Sequence, residues 1–171
     1  SFGMESAYFR FYDADDKEKS KKAFTHAFLF ITGMSFIISS LIFFPAPFFA
    51  HTISELDNAV IIVRLAAVIP FLDALMFIPY AFLRITRKSA RFALTKFMII
   101  IIAVGLNFLF IVYLGWGAKG VFWAQIIASG CGILTFLPLI IRKFLSKFDK
   151  KLFKEMLIFG IPTLPASLSS M

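Results

Sequence analysis

The sequence predicts an all-α protein, a bundle of helices that cross a membrane. Three observations carry that prediction. Of 171 residues, 60% are hydrophobic and only 16% charged, far more apolar than a globular core needs. The apolar residues gather into runs of bilayer length, and the basic residues fall between those runs in alternate loops. The most legible run is Phe92 to Leu114, twenty-three residues in which Lys96 and Asn107 are the strongly polar interruptions. As a helix it is about 34 Å long, enough to cross a hydrocarbon core of about 30 Å with slight tilt.

The charge pattern sets orientation and excludes one class of partner. A formal charge of +8 and a pI near 9.8 are compatible with nucleic-acid binding in principle. The cations, however, form three clusters: Lys17, Lys19, Lys21 and Lys22; Arg84, Arg87, Lys88 and Arg91; and Arg142, Lys143, Lys147, Lys150, Lys151 and Lys154. The loops between carry Glu55 and Asp57, or Lys119 alone. Alternation of this kind is the positive-inside rule, and a nucleic-acid surface has no reason to skip every other loop. The basic loops are therefore expected in the cytoplasm, and no nucleic-acid partner is expected.

In chain order, residues 1–12 read as the end of a preceding span, with Tyr8 and Tyr12 as interface aromatics before a charged loop from Asp13 to Lys22. A span follows over 23–44 and is ended by Pro45 and Pro47, which cannot continue a helical hydrogen-bond ladder. The polar link His51 to Asn58 is expected outside and closes a tight antiparallel pair with the next span, 59–83. After the 92–114 span, the glycine turn Gly115 to Gly120 leads into a span over 121–141. There Gly130 and Gly132 are expected to let a neighbouring helix approach closely. Residues 142–155 form a basic amphipathic stretch, expected to be a surface-lying helix or cytoplasmic linker. Residues 156–171 begin another span, broken by Gly160, Pro162 and Pro165. With no initiating Met and no closing feature, the chain is expected to be a piece of a longer protein.

Four short stretches add a family resemblance. Gly3-Met4-Glu5-Ser6-Ala7-Tyr8-Phe9-Arg10-Phe11-Tyr12 resembles the end of the second span in bacterial polysaccharide (O-antigen type) flippases of the multidrug and oligosaccharidyl-lipid exporter superfamily. Ile78-Pro79-Tyr80-Ala81-Phe82-Leu83-Arg84 resembles their fourth-span exit, Gly115-Trp116-Gly117-Ala118-Lys119-Gly120-Val121 their turn between spans five and six, and Phe159-Gly160-Ile161-Pro162 their seventh-span entry. The resemblance covers nearly the whole chain in order and spacing. It implies the first lobe and the start of the second in a two-lobe transporter of the bacterial inner membrane. Such a transporter moves a lipid-linked oligosaccharide from the cytoplasmic to the outer face by alternating access.

A flippase must shelter an anionic, hydroxyl-rich head group, so cationic and hydrogen-bonding side chains within spans are the candidate cavity residues. The expected set is Arg64, Asp73, Arg10, Glu5 and Asn107. Charges inside a span are costly and so point to function. Lys96 lies about one turn inside its span, where it either snorkels to the cytoplasmic interface or faces a cavity. Arg10 either pairs with Asp13 or faces a cavity, and Arg64 either snorkels outward or binds the head group. Asp73 is too short to reach an interface from mid-span. It serves either as the site of a coupling ion, proton or sodium, or as a tie to a neighbouring helix. Nine residues separate Arg64 from Asp73, about 13.5 Å of rise and half a turn of azimuth, so they are not one salt bridge.

The substrate partners expected are a lipid-linked sugar and membrane lipids. No cofactor, metal site or catalytic residue is expected, and the protein is not expected to be an enzyme. His26 and His51 are assigned to opposite membrane sides, Cys131 is alone, and no phosphate-binding glycine loop is present. A drug or cation antiporter of the same superfamily is the alternative and predicts an acidic excess in the cavity. A membrane-embedded lipid-sugar transferase is the more distant one.

Overall fold

A carboxylate placed one residue before a run of good helix formers is what starts the first long helix. In the computed structural model, which describes residues 4–13, 15–48, 59–144, 149 and 152–159, the Asp16 side chain accepts hydrogen bonds from the backbone N–H of Glu18 and Lys19, both at 3.0 Å. That cap satisfies two of the orphan donors of a helix start. Helix α2 (Lys17–Phe43) therefore begins six residues before the apolar run, and Lys17 to Lys22 are its first turns, not a loop. The true connection is short and is sewn together locally. Asp13 Oδ1 accepts from the N–H of Asp15 and Asp16, the Ser20 hydroxyl donates to the Asp13 carbonyl, and Lys19 lies 3.7 Å from the Asp13 carboxylate. The two backbone N–H groups, aided by Lys19, hold the Asp13 carboxyl below the usual carboxylate range.

Before it lies α1 (Met4–Phe11). After it come α3 (Ala59–Ile85), α4 (Ser89–Phe108), whose last turn widens into a π-helical segment (Leu109–Tyr113), and α5 (Ala118–Phe144); residues 152–159 are also helical. Four of these, α2 to α5, are long and apolar enough to cross a membrane. No strand occurs among the described residues, and the protein is a polytopic helical bundle. The expected outer link 51–58 and the residues from Gly160 onward lie outside the described residues.

Each connection has a chemical reason. Helix α3 closes in a double hydrogen-bonded cap: Lys88 N–H reaches the Leu83 carbonyl at 2.9 Å and Arg87 N–H the Arg84 carbonyl at 3.1 Å, with Arg87 in the left-handed region at φ 54°. This is the Schellman arrangement, at a position where glycine is usual. The next turn does use glycine, since Gly115 and Gly117 take φ of 64° and 55°. Phe110 stacks on Trp116 across that turn, with ring centroids 5.1 Å apart.

Helix α3 is the hub. It packs along α2 on one side and α5 on the other, and α5 in turn carries α4. The Phe92 to Leu114 stretch, the strongest span in the sequence, is the peripheral one, with no buried residue in α4. Hydrophobicity all round is what a lipid-facing helix needs, so the clearest sequence signal marks the least enclosed helix. The main core instead joins Tyr8 and Met4 of α1, Phe24, Ala27 and Ile31 of α2, Ile78 and Phe82 of α3, and Met156. Tyr8 is fully buried there, packed edge-on against Phe24 at 6.2 Å, and is not an interface residue. The stretch from 142 to 155 also differs from expectation. Arg142 and Lys143 belong to α5, and residues 152–159 are drawn into the core through buried Met156.

His26 explains how that last piece is held. Its ring is buried; Nε2 accepts the Asp149 N–H at 2.9 Å and Nδ1 lies 2.5 Å from the Lys22 carbonyl. One neutral tautomer, protonated at Nδ1, satisfies both contacts. Phe153 packs against the same ring at 5.8 Å. His26 thus fastens Asp149 and Phe153 to α2, a buried structural role.

Candidate functional site

Polar side chains inside an apolar bundle must find partners or water, and α3 shows where they are sent. Asp73, Phe77, Tyr80 and Arg84 follow the i, i+4, i+7, i+11 spacing that puts residues on one helical face. That face lines a cavity of about 420 Å³ shared with α1, α4 and α5. Glu5 enters from α1, Lys96 from α4, and Gln125 and Ser129 from α5.

The polar groups form a ladder running from the end of the bundle where the basic residues cluster toward mid-span. At its base Arg84 Nη1 donates to Glu5 Oε1 at 2.5 Å, an ion pair joining α3 to α1. Higher up, the Lys96 ammonium sits over the Tyr80 ring, 4.9 Å from its centroid. About 16 Å of helical rise above Arg84, the Ser129 hydroxyl donates to Asp73 Oδ1 at 3.1 Å. Gln125 lies one turn further along α5. The cavity therefore presents two carboxylates, two cations, an amide and hydroxyls against walls made of Met76, Phe77, Ile99 and Ile100.

Small residues make this geometry possible. A Cβ on Gly132 would come within 2.6 Å of both the Ile99 Cδ1 and the Met76 Sδ atoms, so its absence lets α5 sit between α3 and α4. Gly130, expected to act with it, has open space where its Cβ would be. Close approach here rests on Gly132.

Of the residues expected from the sequence, Glu5 and Asp73 lie in the cavity and three do not. Arg64 is exposed near the opposite end of α3, its guanidinium 5.4 Å from the Phe43 ring centroid. Arg10 lies over Phe159 at 4.3 Å, while Asp13 takes Lys19 as its partner. Asn107 lies on α4 just ahead of the π turn, its Oδ1 buried without a hydrogen-bond partner among the described residues. Lys96, an exposed residue, lines the cavity. Arg84, Tyr80, Gln125 and Ser129 were not among the expected site residues. The shared face with Asp73 was the signal for Arg84 and Tyr80, obscured because Arg84 also reads as part of a topological basic cluster. Among the described residues no group of three or more His, Cys, Asp or Glu side chains could hold a metal ion.

A family model described as polysaccharide biosynthesis protein matches residues 2–171. No curated protein and no solved structure matches the chain.

Proposed function

This chain belongs to the polysaccharide biosynthesis protein family, and we propose that it forms the first lobe of a transporter that flips a lipid-linked oligosaccharide across the bacterial inner membrane by alternating access. The single observation that carries this reading is the polar ladder of Glu5, Arg84, Lys96, Asp73, Ser129 and Gln125, built on α1 and three of the four membrane-length helices. Glycans are bound through dense hydroxyl hydrogen bonding, and carboxylate, amide and hydroxyl side chains supply both donors and acceptors. A phosphate linking sugar to lipid needs a cation, and among the described cavity residues Lys96 is the cation outside the Glu5–Arg84 ion pair at the base of the ladder.

Direction follows from the same arrangement. The Glu5–Arg84 pair stands at the cytoplasmic mouth, where it can open to admit a head group and reclose behind it. In this reading Asp73 takes the role of coupling residue as the ladder is vacated, and its hydrogen bond from Ser129 relays that change to α5. The antiporter alternative calls for an acidic excess, whereas here carboxylates and cations balance at two each.

The test separates coupling from helix tying. Interhelical hydrogen bonds in membranes contribute about 0.6 kcal/mol on average, so Ser129→Ala should reduce the level of membrane-inserted complete protein only slightly. Asp73→Asn and Lys96→Gln should insert normally, yet lose most surface-polysaccharide export when export is normalised to inserted protein. If Asp73→Asn and Ser129→Ala instead cause the same small loss, Asp73 is a tie between helices. If Lys96→Gln also exports normally, the ladder is not the sugar path.

A further inference from the structure

A second cavity opens on the cytoplasmic side of α3, α4 and α5, separate from the polar ladder. It has a volume of about 560 Å³, inside the range of roughly 300–1,000 Å³ usual for small-molecule sites. The packed side chains of Met76, Tyr80, Leu83, Phe92 and Phe136 form the wall between the two. On α4 the two cavities use adjacent faces: Lys88, Arg91 and Thr95 line this one, Phe92 and Lys96 the other.

Its chemistry is one-sided. Four cations converge on it, Lys88 and Arg91 from the start of α4 and Arg142 and Lys143 from the end of α5, and no carboxylate among the described residues lines it. Thr95 and Thr135 add hydroxyls, while Leu94, Phe136 and Leu139 make an apolar floor. Its rim is also a helix start. Lys88 caps α4 without a side-chain hydrogen bond, leaving first-turn N–H groups and the positive end of a twenty-residue helix facing the basic rim. Like charges held this close, with nothing negative among them, are relieved by an anion.

We propose that this cavity is a binding site for an anionic glycerophospholipid of the cytoplasmic leaflet, the phosphate lying among Arg91, Arg142 and the α4 N-terminus and the acyl chains running along the apolar floor. The combination of basic rim, apolar floor and interfacial depth selects a lipid over a soluble anion, because a soluble phosphate has no use for the floor. Basic pockets between helices on the cytoplasmic side are suited to such head groups. The lipid wedges between α4 and α5, and so holds the peripheral helix against the bundle from the membrane side.

The experiment uses the complete protein, purified in detergent, and measures retention of phosphatidylglycerol and phosphatidylcholine by native mass spectrometry. Phosphatidylglycerol should be retained at least tenfold more strongly. Arg91→Gln and Arg142→Gln should each weaken it about fivefold, and together about 25-fold, with phosphatidylcholine unchanged. Arg64→Gln, an exposed cation near the other end of α3, should leave it unchanged. Equal retention of the two lipids, full retention in the double variant, or an equal loss in Arg64→Gln would overturn the site. Displacement of phosphatidylglycerol by millimolar inorganic phosphate would likewise reject a lipid in favour of a soluble anion. Because binding is read without transport, the outcome is independent of whether the polar ladder carries sugar.

Discussion

Two glycines two residues apart on α5 do opposite things, and that difference can be measured. Gly132 faces Ile99 and Met76, where an added Cβ would sit 2.6 Å from each, both contacts being with the ends of flexible side chains. Gly132→Ala therefore forces repacking, at a cost of about 1–3 kcal/mol. Gly130 meets nothing within 4 Å, and replacing a helix-interior glycine with alanine gains about 0.5–1 kcal/mol when no clash intervenes. The expected result is a lower thermal midpoint for Gly132→Ala and an unchanged or higher one for Gly130→Ala, measured on the complete protein in detergent. Equal effects of either sign would show that the α3–α4–α5 junction is not as tight as its geometry indicates. Sequence alone could place both glycines in a span but could not rank them. Adjacent small residues point about 200° apart across a two-residue step, and only the docked neighbours decide which one is crowded. The same holds for the charged residues. That Asp73 needed a partner was legible from its depth; that Ser129 is the partner was not, because it depends on the relative rotation of α3 and α5.

At the scale of elements, the helices were legible because apolar runs of twenty or more residues have one reading, whereas their ends are set by local hydrogen bonds that hydropathy does not register. Helix α2 starts early because Asp16 caps it. Helix α3 runs on to Ile85, and α5 to Phe144, because their polar last turns can lie in the interface. The α3–α4 connection carries the clearest local cost. Arg87 holds φ 54° in a cap whose two hydrogen bonds require that conformation. A non-glycine residue there loses about 1 kcal/mol relative to glycine. Arg87→Gly should therefore stabilise the junction by about 0.5–1 kcal/mol, seen as slower amide exchange at Arg87 and Lys88. Faster exchange at both would mean that the arginine side chain, and not the backbone cap, holds the turn. Arg87 does not line either cavity, so transport should be unaffected.

For the whole molecule, burial and charge point to the same end. The main core draws on α1, the first half of α2, the second half of α3 and residue 156, on the side where the described basic residues Lys17 to Lys22, Arg84 to Arg91, Arg142 and Lys143 lie. At the opposite end, α2 exposes Phe36 and Leu41, with Phe44 just past its last residue, and α3 exposes Ile61, as lipid-facing surfaces do. A bundle tied at its basic end and looser at the other is suited to hinging about the tied end. That orientation rests on where cations lie, since Lys and Arg are retained on the cytoplasmic side during insertion. Labelling decides it directly. In a Cys131→Ala background, a cysteine replacing Asn58, next to the start of α3, should react with a membrane-impermeant thiol reagent added to intact cells. One replacing Ser89, the first residue of α4, should react only after the membrane is opened. The reverse pattern would place the tied end and the basic cavity outside, where the cytoplasmic leaflet cannot supply a phospholipid and where the Glu5–Arg84 pair would guard the exit instead of the entrance. Equal labelling at both positions would remove the antiparallel α3–α4 crossing itself, and with it the shared face on which Asp73, Lys96 and Ser129 meet.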